Sequence, residues 1–206
     1  MKSIKVFISS VMDELKDERM IAKEAITELF NKHKMPFRTI MFEDIGARSE
    51  NARKAYTEEI KKSDIYLGII GKEYGNIIYD NISATKEEYT IAYNNRKDIF
   101  IYILEIDERK YVREKFTEEF IKEVRNHHVA PTFSDKNDLK AKIKDDLIRW
   151  YDKKIKYENL EVFKPISKIT PEDFMLKKTN NLYISRETDK TIKNFLKERN
   201  NVLIIG

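Results

Sequence analysis

Among the 206 residues, the groups able to do chemistry are few and clustered by type. Ser9 and Ser10 follow the apolar run Ile4-Lys5-Val6-Phe7-Ile8, where two hydroxyls can hold a ribose or phosphate, or else cap the helix that comes next. The spacing Ser10-Val11-Met12-Asp13 is that of a capping box and favours capping for Ser10. Glu43 closes a second apolar run. Gly71 and Gly75 bracket Gly71-Lys72-Glu73-Tyr74-Gly75, a loop whose backbone can approach a ligand closely, although glycine is ordinary in any turn. The adjacent acids Glu87 and Glu88 stand in the first turns of a helical segment. A carboxylate at a ribose can hydrogen-bond its hydroxyls and stabilise an oxocarbenium-like transition state, as in glycoside cleavage. Acids in a first helical turn also complement the macrodipole with no ligand at all, and the pattern taken alone favours that reading. Side chains adjacent on a helix diverge by about 100°, so at most one of the two faces a given cleft.

Other chemistries are poorly supplied. Cysteine is absent, which excludes disulfides and thiolate catalysis. The three histidines, His33, His127 and His128, lack the spacing of a zinc site. No G-x-S-x-G elbow and no G-x-G-x-x-G fingerprint occurs. Forty Lys and Arg against 36 Asp and Glu leave a net charge of +4. The basic clusters Lys153-Lys154-Ile155-Lys156 and Lys177-Lys178 have no aromatic stacking pattern beside them, so nucleic acid is not an expected partner. No apolar run approaches the ~18 residues of a membrane span, and the N-terminus carries no signal-peptide core. The expectation is a cytoplasmic protein without membrane contact.

The elements that must position these groups alternate. Apolar runs at 4–8, 37–42, 65–70, 99–104 and, weakly, 128–133 read as strands, with 65–70 and 99–104 continuously apolar, as in strands covered on both faces. Amphipathic segments at 11–30, 52–62, 85–94, 111–125 and 139–153 read as helices. Right-handed crossovers make this a flavodoxin-like, doubly wound, five-stranded parallel sheet of order 2-1-3-4-5. Ligands of such sheets lie beyond the carboxyl ends of the strands where the order reverses, here past the first and third strands. Residues 1–155 are assigned to this α/β domain and 156–182, with Pro165 and Pro171, to a linker. Residues 183–206 are read as a helix-strand extension ending Asn201-Val202-Leu203-Ile204-Ile205-Gly206, either simply a last strand of this domain or, the favoured reading, the opening of a phosphate-binding loop.

In their order, several blocks resemble a family of TIR-like domains, long filed as a domain of unknown function, that typically precede STAND-type P-loop NTPases. The blocks are Val6-Phe7-Ile8-Ser9-Ser10, Asp13-Glu14-Leu15, Glu18-Arg19, Phe42-Glu43, Ser63 to Gly68, Gly71 to Gly75, and Ser83-Ala84-Thr85-Lys86-Glu87-Glu88-Tyr89. The family usually reads S-x-T-E-x-E-Y in the last block; Lys86 departs from it, while Glu88-Tyr89 match. The resemblance implies a TIR-like effector of prokaryotic antiviral defence that cleaves NAD, or a related nucleotide, at its N-glycosidic bond once assembled. Glu88 would be catalytic, and Ser9, Ser10, Glu43, Gly71, Tyr74, Gly75 and Ser83 would bind substrate. It implies self-association, no metal and no cofactor in this stretch, and ATP with Mg²⁺ only at an NTPase domain that residues 183–206 would begin. Two rivals carry no such chemistry: a non-catalytic interaction module, and a receptor that binds a nucleotide signal without turning it over.

Overall fold

The computed structural model describes residues 3–46, 49 and 51–161, with side chains through residue 155. The first of two compact units is Met1–Trp150; of the second, Tyr151–Gly206, only the last turns of one helix lie among the described residues. The extension expected over 183–206 and the linker from 162 onward lie outside them.

The strands are β1 (Ile4–Ser9), β2 (Phe37–Met41), β3 (Ile65–Ile70), β4 (Ile77–Tyr79), β5 (Ile82–Ser83), β6 (Asp98–Leu104) and β7 (Thr132–Phe133). The helices are α1 (Lys16–His33), α2 (Ala52–Lys62), α3 (Ala84–Asn94), α4 (Lys115–His127) and α5 (Lys136–Glu161). Five strands form one parallel sheet in the order β2-β1-β3-β6-β7. With the hairpin β4–β5 set aside, this is the expected 2-1-3-4-5 winding.

Every residue of β3 is buried, as its unbroken apolar run requires of a central strand with helices on both faces. Phe7, Tyr66, Ile101 and Ile103 pack on one face with Tyr56 and Ile60 of α2, Tyr89 and Ala92 of α3, and Phe120 and Val124 of α4. Strand alternation sends Val6, Ile8, Ile65 and Leu67 to the other face, and all four are fully buried. Ion pairs of Lys140 with Glu24 and Glu28, and of Lys144 with Glu28, tie α5 to α1.

Four local readings change. Ser10 does not cap α1: the helix begins at Lys16 after a turn closed by Leu15 N–H donating to Val11 C=O, and its N-cap, Leu15, offers no side-chain bond. The fifth strand shrinks from 128–133 to two residues paired with the end of β6. Helix α5 runs through Glu161, past the expected linker boundary at 156, because nothing from 154 to 161 opposes a helix and the first proline is Pro165. The hairpin β4–β5 was not foreseen; its turn places Asp80 and Asn81 at φ 42° and 60°, the left-handed pair that joins two-residue hairpins.

Candidate functional site

Beyond the carboxyl ends of β1 and β3 lies a cavity of about 760 Å³. Its walls come from the loops after β1 and β3, Arg19 of α1, the turn after β2, the N-terminal turn of α2, the hairpin, and the first turns of α3. A volume of that order accommodates a small-molecule ligand.

Glu88 belongs to this lining and is 8% exposed. Its Oε2 accepts a hydrogen bond of 2.5 Å from the Ser9 hydroxyl, delivered by the last residue of β1. No cation is within ion-pair distance of it among the described residues. Burial therefore dominates and pushes the carboxyl up to about 7, against the smaller opposing pull of the Ser9 hydroxyl and the Arg19 charge. A carboxyl in that state is half ionised near neutrality and can exchange a proton there.

Its neighbour Glu87 has the opposite fate. It is also buried, yet it accepts hydrogen bonds from Tyr56, from Arg53, and from the Tyr79 hydroxyl at 2.9 Å. Burial works to raise this carboxyl, but the three donors outweigh it and hold the acid below its usual range. Two adjacent acids are thus separated by the helical turn between them: Glu87 is an ionised structural anchor, and Glu88 is a poised group facing open space. Lys86, the departure from the TIR-like pattern, points elsewhere again, pairing with Glu123 and lying 5.0 Å from the Phe120 ring centroid on α4.

The other expected site residues divide. Ser10 and Gly75 line the cavity with Glu88, and Ser9 sits directly behind Glu88. Gly75 holds φ +82°, and a Cβ there would stand 3.0 Å from Val11 Cγ2. Glu43 is outside the lining; it accepts from Arg19 Nε at 2.8 Å and Nη2 at 2.5 Å. The third Arg19 contact, Nη1 donating to Ser10 Oγ at 3.2 Å, fixes that hydroxyl at the cavity wall. Arg19 thus combines an ion pair with Glu43 and a place in the cavity lining. Gly71 lies beneath Glu14, whose carboxylate accepts from the backbone N–H of Lys72 and Glu73 at 2.6 and 3.0 Å and so shapes the loop. Tyr74 turns into the core against Phe116, with ring centroids 5.5 Å apart. Ser83 is the N-cap of α3, its hydroxyl accepting from Lys86 N–H at 3.3 Å. Glu43, Gly71, Tyr74 and Ser83 therefore shape the site without lining it.

Sequence reasoning missed Arg53, Tyr56 and Tyr79. Their signal was present only in part: an Asp-Asn turn between apolar residues marks the hairpin that carries Tyr79. Nothing local in Arg53-Lys54-Ala55-Tyr56 marks which face of α2 meets Glu87, 31 to 34 residues away. Among the described residues, no group of three or more His, Asp or Glu is placed to hold a metal ion. None of their helices is long and apolar enough to cross a membrane.

Residues 5–148 match the family model of the domain of unknown function DUF4062, and the chain belongs to that family. Among solved structures, it is similar to the TIR domains of the activated Roq1 resistosome, which directly recognizes the pathogen effector XopQ. That likeness is at 14% identity and a TM-score of 0.40, over 95% of this chain and 99% of the other. It is also similar to oxidised flavodoxin 1 from Bacillus cereus, at 10% identity and a TM-score of 0.33, over 70% of this chain and 93% of that one. No curated protein matches the sequence.

Proposed function

We propose that the cavity cleaves the N-glycosidic bond of NAD or a related nucleotide, within a TIR-like effector module that acts when assembled. The observation that carries this reading is Glu88: a buried carboxyl, held by one serine hydroxyl, free of any cationic partner among the described residues, at the wall of a ligand-sized cavity.

The chemistry asked of it is modest. The bond between C1′ and the pyridinium nitrogen breaks with its electron pair going to nitrogen, releasing neutral nicotinamide. Positive charge develops at C1′ and the ring oxygen, where the Glu88 carboxylate, in a water-poor wall, stabilises it. Water adds at C1′ and its proton leaves to Glu88 or to solvent. Ser9 keeps the carboxylate oriented. Ser10, held by Arg19, offers a hydroxyl to the sugar.

The test is nicotinamide release from NAD by artificially clustered protein, comparing wild type with Glu88→Ala. Loss of about a hundredfold or more is expected for the variant. Silence of the clustered wild type would leave a non-catalytic interaction module or a nucleotide receptor; undiminished turnover in Glu88→Ala would remove Glu88 from the chemistry. The antiviral and ATPase setting belongs to the same proposal; the ATPase part is supported by the sequence pattern Val202-Leu203-Ile204-Ile205-Gly206, an apolar run before a glycine. Its check is a Gly-Lys-Thr or Gly-Lys-Ser within about eight residues of Gly206 in the natural gene.

A further inference from the structure

Besides Glu88 of α3, charged groups reach the cavity lining from several other elements. The loops after β1 and β3 contribute Asp13 and Glu73, both exposed, while the N-terminal turn of α2 contributes Arg53. The other lining arginine, Arg19, is committed through Nε, Nη1 and Nη2 to Glu43 and Ser10. Arg53 differs. Its Nη2 donates to Glu87, and its side chain is 60% exposed. Yet it is not free to wander, because its guanidinium also lies over the Tyr79 ring, 4.8 Å from the centroid. Tyr79 is in turn fastened to Glu87 by its hydroxyl. An exposed arginine held by an anchor on one side and an aromatic face on the other keeps a pre-oriented fork, so little rotamer freedom remains to be lost on binding an anion.

We infer that Arg53 is a specificity-determining residue that binds a phosphate of the ligand, so that this cavity takes a phosphorylated nucleotide in preference to its nucleoside. The inference rests on the functional reading above for the identity of the ring at Glu88, but it concerns binding and not turnover. Glu87 and Tyr79 serve as positioning residues for the fork. The acidic loops face the part of the ligand that bears positive charge, which gives a pyridinium nucleotide an orientation: cationic base toward Asp13 and Glu73, phosphate toward α2.

Nicotinamide mononucleotide and nicotinamide riboside differ by one phosphate and serve as the probes. Each is titrated calorimetrically into the full chain as wild type, Arg53→Gln and Arg53→Lys. Wild type is expected to bind the mononucleotide about tenfold or more tightly than the riboside, a preference that added salt weakens. Arg53→Gln is expected to lose that preference while keeping the riboside affinity, which also shows that the cavity is intact. Arg53→Lys should retain an intermediate preference, having charge without the fork. Equal affinity of wild type for the two ligands, a preference that survives Arg53→Gln, or no binding of either would overturn the inference. Phosphate preference without NAD cleavage leaves Arg53 standing and removes the catalytic reading; cleavage without phosphate preference does the reverse.

Discussion

Replacing Glu88 by glutamine tests the placement of its carboxyl without any substrate. An ordinary glutamate titrates at 4.5, whereas burial carries Glu88 to about 7. Below pH 4.5 the carboxyl is protonated whether the chain is folded or unfolded, and it contributes no pH dependence. Between 4.5 and 7 the unfolded chain releases the proton and the folded chain retains it, so stability falls as pH rises; above 7 the penalty is constant. At ~1.4 kcal/mol per pH unit, the full penalty is about 3 kcal/mol. Glutamine does not titrate, and its amide oxygen can still accept from Ser9, so any packing cost of the amide is the same at every pH. The melting temperature of Glu88→Gln relative to wild type should therefore rise between pH 5 and pH 8. At roughly 2–4 °C per kcal/mol for a chain of this size, the gap should widen by about 5–10 °C. Scanning calorimetry at half-unit steps reads it directly. Parallel melting curves across that range would show that Glu88 ionises like a surface acid. A carboxyl held ionised by Arg19 would titrate below 4.5 in the folded chain and give the same parallel curves, and that result would refute its assignment as a poised, unpaired group.

The same carboxyl sets the pH profile expected of turnover: kcat for nicotinamide release should climb through an acidic limb near 7, because only the ionised form stabilises the cation. Ser9→Ala removes the hydroxyl that favours the ionised form, so that limb should move to higher pH, and a profile identical to wild type would exclude the Ser9 bond from the mechanism. Glu43→Gln leaves the buried Arg19 guanidinium without its carboxylate; a loss of about 2 kcal/mol in urea unfolding is expected, moderated because Glu43 is partly open to solvent. Gly71→Ala would place a Cβ 2.5 Å from Glu14 Oε2 and displace the acceptor of two backbone N–H groups, costing about 1–3 kcal/mol by the same measurement.

The winding of the sheet was legible from periodicity, since Ile65 to Ile70 can be satisfied only by burial on both faces, and amphipathic segments of helical length separate the strands. Departures occurred where local signals compete. Ser10 has the spacing of a cap, but Arg19 and the turn closed at Leu15 recruit it elsewhere. The hairpin is only three and two residues long, too short for periodicity to register, and its turn chemistry was the sole clue.

The candidate site shows the division most clearly. Linear sequence determined that serines follow β1, that glycines follow β3, and that an acid pair opens α3, because these are properties of neighbours along the chain. Which acid of the pair faces the cavity is not a local property. It depends on Arg53 and Tyr56 arriving from α2 and Tyr79 from the hairpin to occupy Glu87, while Ser9 arrives from β1 to meet Glu88. Only tertiary packing brings those side chains together, and burial without a countercharge, a consequence of that packing, turns one of two identical residues into a proton-exchanging group near neutral pH.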